Sequence, residues 1–129
     1  MRLLLDTHIL IWALSDTPRL PSEAKRLILD PANEIFVSAV TVWEIAIKHA
    51  LNRKTAPPFS ASEAMTASLT MGFTFADVSA EHAAAVEDLP PVHADPFDRL
   101  IVAHALVEPF RLLTVDKKIA AYSDTIILV

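Results

Sequence analysis

The chain has 129 residues, enough for one domain that buries roughly two thirds of the surface its unfolded form exposes. Apolar residues make up 53% and charged residues 21%, which excludes a disordered or low-complexity chain. Cysteine is absent, which excludes disulfides and thiolate metal centres and favours a cytoplasmic location; the net charge of −5 argues against a general nucleic-acid binder unless some of the 16 acids hold cations.

Arg2–Leu5 is a short leucine run, the form of a strand buried on both faces. Asp6 interrupts it too early for a signal peptide. Ile9–Leu14 and Ser22–Leu29 carry helical patterns, and Glu34–Val37 predicts a second strand. Helices are expected over Val40–Leu51 and Ser62–Met71, with Pro57-Pro58 as a loop between them. A weaker strand at Thr74–Asp77 precedes helical patterns at Ala80–Glu87 and Pro96–Val107. Strands at Arg111–Val115 and Thr125–Val129 close the series. With one glycine and nine prolines, turns must be built from Pro, Asp, Asn and Ser. No apolar run approaches the ~18 residues of a membrane span. The alternation predicts a single α/β domain over 1–129, with a mainly parallel sheet of four to five strands between helices. In such sheets, ligands bind outside the carboxyl ends of the strands. Mean hydropathy is +0.39, high for a small monomer, and suggests apolar surface covered by a partner or a second copy.

Several acids sit where that edge should be. Asp6 follows the first strand, and Asp116 follows the strand in LLTVD. Each can be explained as a helix N-cap. In Asp95-Pro96-Phe97-Asp98 the same chemistry applies: Asp95 caps, Pro96 takes the first helical position, and Asp98 lies in the first turn. Glu44 is different, because it stands inside the helical SAVTVWEIAIKHAL among Val40, Val42, Trp43, Ile45 and Ile47. An i,i+4 pair with Lys48 is worth only about 0.2–0.5 kcal/mol on a solvated face. A carboxylate so close to a buried stripe needs a stronger partner.

Converging carboxylates repel, by about 4 kcal/mol per pair at ~4 Å and an effective dielectric of 20. Either some stay protonated or cations bind. All-oxygen ligands suit Mg²⁺ or Mn²⁺, as one or two ions, and such ions activate phosphodiester hydrolysis.

Four segments carry a resemblance: LLLDTHILIW, SAVTVWEIAIK, HADPFDRLIVAHA and LLTVDKKIAAY. Together, in this order and spacing, they make the chain resemble PIN-domain ribonucleases, in particular VapC-type toxins of type II toxin–antitoxin modules in a DPFDR branch. The resemblance covers the whole chain. It implies a PIN-like three-layer sandwich and a Mg²⁺- or Mn²⁺-dependent endoribonuclease that cuts structured RNA, of the tRNA or ribosomal class, and stops translation. It also implies a homodimer and a cognate VapB-type antitoxin. Carried over by position, Asp6, Glu44, Asp98 and Asp116 are the implied metal-binding and catalytic acids, with Asp95 in or just behind them. Thr7, Ser38 and Thr114 are implied supporters of carboxylates or waters.

His104 departs from the family pattern, where many relatives carry Gln; a partly buried structural histidine is expected there. His8 and His93 lie closer to the acids in sequence and are candidates for an RNA phosphate contact. Arg99 could pair with an acid or hold the scissile phosphate. Lys48, Arg53 and Lys54 form a basic group that either complements its helix end or contacts the RNA backbone. Trp12 and Trp43 are expected in the core or a dimer contact. A phosphatase-type site would want a second Asp at position 8, where His8 stands. A phosphoacceptor domain would want an Asp after the second strand, which instead runs into Ser38 and Ala39. A housekeeping nuclease and a non-catalytic RNA- or partner-binding domain are the alternatives within the same fold.

Overall fold

A computed structural model describes residues 1–15 and 18–129. Among them, five strands form one parallel sheet: β1 (Arg2–Leu5), β2 (Glu34–Ser38), β3 (Thr74–Ala76), β4 (Arg111–Thr114) and β5 (Ile127–Leu128). The spatial order is β3-β2-β1-β4-β5. Seven helices connect them: α1 (Thr7–Ser15), α2 (Ser22–Leu29), α3 (Ala39–Leu51), α4 (Ala61–Thr70), α5 (Ala80–Ala85), α6 (Pro96–Val107) and α7 (Lys117–Ala120). A short 3-10 turn, Val86–Asp88, extends α5, so the helix expected to Glu87 changes pitch at its end. No helix among the described residues is long and apolar enough to cross a membrane.

The leucine run explains the layering. Successive side chains of a strand point to opposite faces. Leu3 and Leu5 enter a core with Ile9 and Leu10 of α1, Leu27 of α2, Ile45 of α3 and Ala64 of α4. Leu4 enters the opposite core, with Ile101, Val102 and Ala105 of α6 and Ile119 of α7. All three leucines are fully buried, each worth roughly 1.5–3 kcal/mol of apolar transfer. A central parallel strand covered on both sides needs this unbroken apolar composition.

Helix ends are marked as the chain composition requires. Ser38, Ser60, Ser79, Asp95 and Asp116 cap α3, α4, α5, α6 and α7 through their side chains. The sole glycine ends α4: Gly72 has φ 83°, its N–H bonds Leu69 O, and the Phe73 N–H bonds Ser68 O. That paired closure needs a left-handed residue, which glycine adopts without a Cβ clash.

Strand order reverses between β1 and β4. β1 leads by way of α1 and α2 to its neighbour β2, and β2 to β3. The chain then crosses back through α5 and α6 to place β4 on the other side of β1. The β1–β4 crevice is therefore the topological switch point, where α/β sheets bind ligands.

Candidate active site

Asp6 is the first residue beyond β1 and lies in that crevice, 3% exposed. The Asp6 N–H extends the ladder to Leu113 O, and its carbonyl accepts the first helical bond of α1, from Leu10. Its side chain accepts the Thr7 N–H at 2.9 Å through Oδ1 and the Thr114 hydroxyl at 2.7 Å through Oδ2. Asp6 thus holds the N-terminal position of α1 through its carbonyl, but its side chain makes no cap bond to the second or third helical N–H and turns inward. Burial raises its pKa despite these two bonds. The Thr114 hydroxyl also accepts the Asp116 N–H at 3.0 Å. One buried threonine therefore joins the first acid to the segment that carries the fourth.

Asp116 uses its two oxygens differently. Oδ1 accepts the Lys118 and Ile119 N–H groups at the start of α7, and Oδ2 lies 3.3 Å from His93 Nε2. His93 Nε2 is also 3.1 Å from Asp98 Oδ2. The Asp95 N–H donates to His93 Nδ1 at 3.1 Å. This pattern assigns the lone pair to Nδ1 and the proton to Nε2, so His93 donates between two carboxylates. Ligand atoms of His93, Asp98 and Asp116 lie within 4.8 Å of one another, and among the described residues neither Asp6 nor Glu44 completes that set. Asp98 still feels both. Burial and the charges of Asp6 and Asp95 push its carboxyl up to about 7, His93 lowers it, and Glu44 raises it further.

Glu44 is 4% exposed on α3. Oε1 accepts the Thr7 hydroxyl at 2.8 Å, and that hydroxyl lies 3.1 Å from the hydroxyl of buried Thr41. Oε2 is paired with Lys48 Nζ at 2.5 Å. The expectation that Glu44 lacks an adequate protein partner is therefore corrected. Lys48 reaches it because i and i+4 share a helix face, and burial of the carboxylate makes the pair more than a surface contact. Asp95 is the plain cap the sequence suggests, with Oδ1 accepting the Phe97 and Asp98 N–H groups at 2.8 and 3.2 Å.

Two supporting residues, Ser38 and Arg99, fall elsewhere than expected. Ser38 does not face the carboxylates: its hydroxyl accepts the Val40 N–H and meets His104 Nδ1 at 2.9 Å. Among the described residues Arg99 pairs with no acid and turns to loop carbonyls instead. Its Nη1 donates to Pro90 O at 3.0 Å and to the Tyr122 hydroxyl at 3.2 Å, and its Nη2 to Val86 O at 3.1 Å. A guanidinium with several fixed donors suits a loop rich in unpaired carbonyls. Of the two places expected for Trp43, the core is not the one it takes: it is 54% exposed and packs edge-on against Phe97. The part played by His93 was not foreseen. The clue was its place two residues before a capping Asp, where a ring can fold back onto the cap's N–H.

A groove of about 830 Å³ opens from Thr7 and Glu44 along Trp12 and is lined by Lys48, Arg53 and Lys54. The three basic residues share this groove with Glu44. His8 lies on the same groove, stacked near Trp12 with ring centroids 5.8 Å apart.

The family model of the PIN domain matches residues 3–124. The chain belongs to the PIN domain family. Solved structures share this PIN fold over nearly their whole length. The VapBC2 complex of Rickettsia felis, bound to a promoter DNA fragment, has a TM-score of 0.68 at 19% identity, covering 100% of this chain and 98% of that one. A toxin–antitoxin complex from Klebsiella pneumoniae has 0.62 at 23%, with 96% and 94% covered. The FitAcB structure of Neisseria gonorrhoeae has 0.61 at 18%, with 98% and 96% covered. No curated protein matches this PIN chain by sequence.

Proposed function

We propose that this PIN domain is a metal-dependent endoribonuclease and the toxin of a type II toxin–antitoxin module. The observation that carries the nuclease reading is the meeting of Asp98 and Asp116 around His93 at the switch point of the sheet, with Asp6 tied to the Asp116 segment through Thr114 and its charge helping to push Asp98 up to about 7. Carboxylates held so close ionise together only against a counter-charge. The carboxylate oxygens fit Mg²⁺ or Mn²⁺, which Asp6, Asp98 and Asp116 would hold, with Glu44 beside them and Asp95 behind, once His93 Nε2 leaves its place between Asp98 and Asp116. A divalent cation there supplies Lewis-acid charge for hydrolysis of a phosphodiester.

The protein's own groups prepare that site. Thr114 and the Thr7 N–H hold the two oxygens of Asp6, which leaves its carboxylate a single orientation. The Thr7 hydroxyl and Lys48 do the same for Glu44. His93 keeps a proton at Nε2 between Asp98 and Asp116 and spaces them. Lys48, Arg53 and Lys54 offset the local negative field where an RNA backbone would enter the groove. Structured RNA, of the tRNA or ribosomal class, is the proposed substrate, and arrest of translation in the cytoplasm the consequence. The structural neighbours that are toxin–antitoxin complexes support a VapB-type antitoxin partner. Exposed Leu29, Leu69 and Met71 support apolar cover by that partner or by a second copy in a homodimer.

The test is cleavage of total cellular RNA by wild type, Asp6→Asn and Asp98→Asn with Mg²⁺ supplied. Both variants should keep their fold by circular dichroism and lose at least ~100-fold in rate, the scale for one transition-state electrostatic group. Undiminished cleavage by both would overturn the proposal.

A further inference from the structure

His104, the departure from the family pattern, belongs to a second group of side chains. It lies six residues after Asp98 on α6, about 9 Å further along the axis. Its ring is fully buried and its centroid is 4.4 Å from that of His82 on α5. Glu108 follows His104 by four residues and so lies on the same helix face. Its Oε1 is 2.7 Å from His82 Nε2. One nitrogen of each ring and one Glu108 oxygen lie within 4.8 Å of one another. His104 Nδ1 is committed to Ser38, and Nε2 is buried without a hydrogen-bond partner among the described residues. An unpaired buried nitrogen costs about 1–3 kcal/mol, so its retention calls for a reason.

We propose that His82 Nε2, His104 Nε2 and Glu108 form a second cation site, selective for Zn²⁺ or another late first-row divalent ion. Two imidazoles and a carboxylate are the donors such ions prefer, in contrast to the all-oxygen crevice. Bonds of 2.0–2.1 Å give a tetrahedral edge of about 3.3 Å, so donors that now lie within 4.8 Å of one another must draw together around the ion. Binding has one local cost. His82 Nδ1 accepts the Ser79 N–H, so its proton sits on Nε2 and is shared with Glu108. The cation takes that proton's place, the ring's proton moves to Nδ1, and the part-buried Ser79 N–H loses its acceptor. A donor left without an acceptor costs about 1–3 kcal/mol, small against a zinc site. What the ion gains for the protein is attachment of α5. That helix has six residues, too short to hold itself, and it leads into the loop carrying His93.

The experiment is calorimetric titration of Zn²⁺ in excess Mg²⁺ into wild type, Glu108→Gln, His104→Gln and Asp98→Asn, with melting temperatures beside it. Wild type should bind one Zn²⁺ equivalent that Asp98→Asn keeps and Glu108→Gln weakens by more than the ~10–100-fold cost of a lost outer partner. Zn²⁺ should raise the melting temperature of wild type and Asp98→Asn, and raise that of Glu108→Gln far less. Glu108 is at the surface, so its variant carries the test even if His104→Gln fails to fold. Equal Zn²⁺ binding by wild type and Glu108→Gln would overturn the site, as would loss of the ion in Asp98→Asn alone.

Discussion

Asp98 carries a protonation preference that the fold imposes. Burial and the neighbouring charges of Asp6 and Asp95 move its pKa from 3.8 to about 7. A carboxyl whose folded pKa lies above its unfolded value binds more protons when folded. Its contribution to stability is complete below the unfolded value and is lost as pH rises through the folded one. Without divalent ions, the protein should therefore lose stability between about pH 4 and pH 7, on the order of a few kcal/mol. Urea midpoints measured in chelator across that range should show the loss in wild type and a flatter profile in Asp98→Asn. Mg²⁺ should restore wild type near pH 7, because the ion favours the ionised carboxyl. Equal profiles for the two chelated proteins would contradict the assignment. At this scale the sequence was legible where a role is local. Asp95 and Asp116 cap as their neighbours predict, and Lys48 meets Glu44 at i,i+4. The inward face of Asp6, the position of His93 between two acids and the turn of Ser38 toward His104 all depend on contacts across the fold, which spacing does not encode.

Elements were easier to read, because each strand here is a short apolar run and most helices open on Ser or Asp. Arg2–Leu5, Ser22–Leu29 and Pro96–Val107 stand where composition puts them. The last strand shrinks to Ile127–Leu128, since an edge strand with one neighbour pairs only where that neighbour continues. Helix α7 is four residues long, below what periodicity resolves, and was visible only as the cap Asp116. The segment from Val86 to His93 is held less by its own structure than by one side chain of α6. Arg99 grips the Val86 and Pro90 carbonyls, and Tyr122 meets both Arg99 and the His93 N–H. Arg99→Ala should release this loop. Hydrogen exchange of amides 86–95 should speed up at least ~10-fold while β1 and β4 stay protected, a loss of 1.4 kcal/mol or more in local stability. Unchanged exchange in that loop would show that the grip is dispensable.

For the whole molecule, the charge balance is local rather than global. The chain is acidic by five charges, yet Lys48, Arg53 and Lys54 share one groove with Glu44. Neutralising all three to alanine should weaken RNA binding and reduce the slope of log affinity against log salt by about 2, if each meets one phosphate of a single strand. Binding measured with Asp98→Asn as background separates this from cleavage; an unaltered slope would move the RNA path elsewhere. The strand order bears on when the site is assembled. β1 is made first but sits in the centre of the sheet, and the flank carrying Thr114 and Asp116 arrives only with β4. A nascent chain on the ribosome thus displays Asp6 long before it owns a crevice, and the acids of β1 and β4 come together only when residues 111–116 have emerged and docked. Topology holds back the assembly of the crevice until most of these residues have been made.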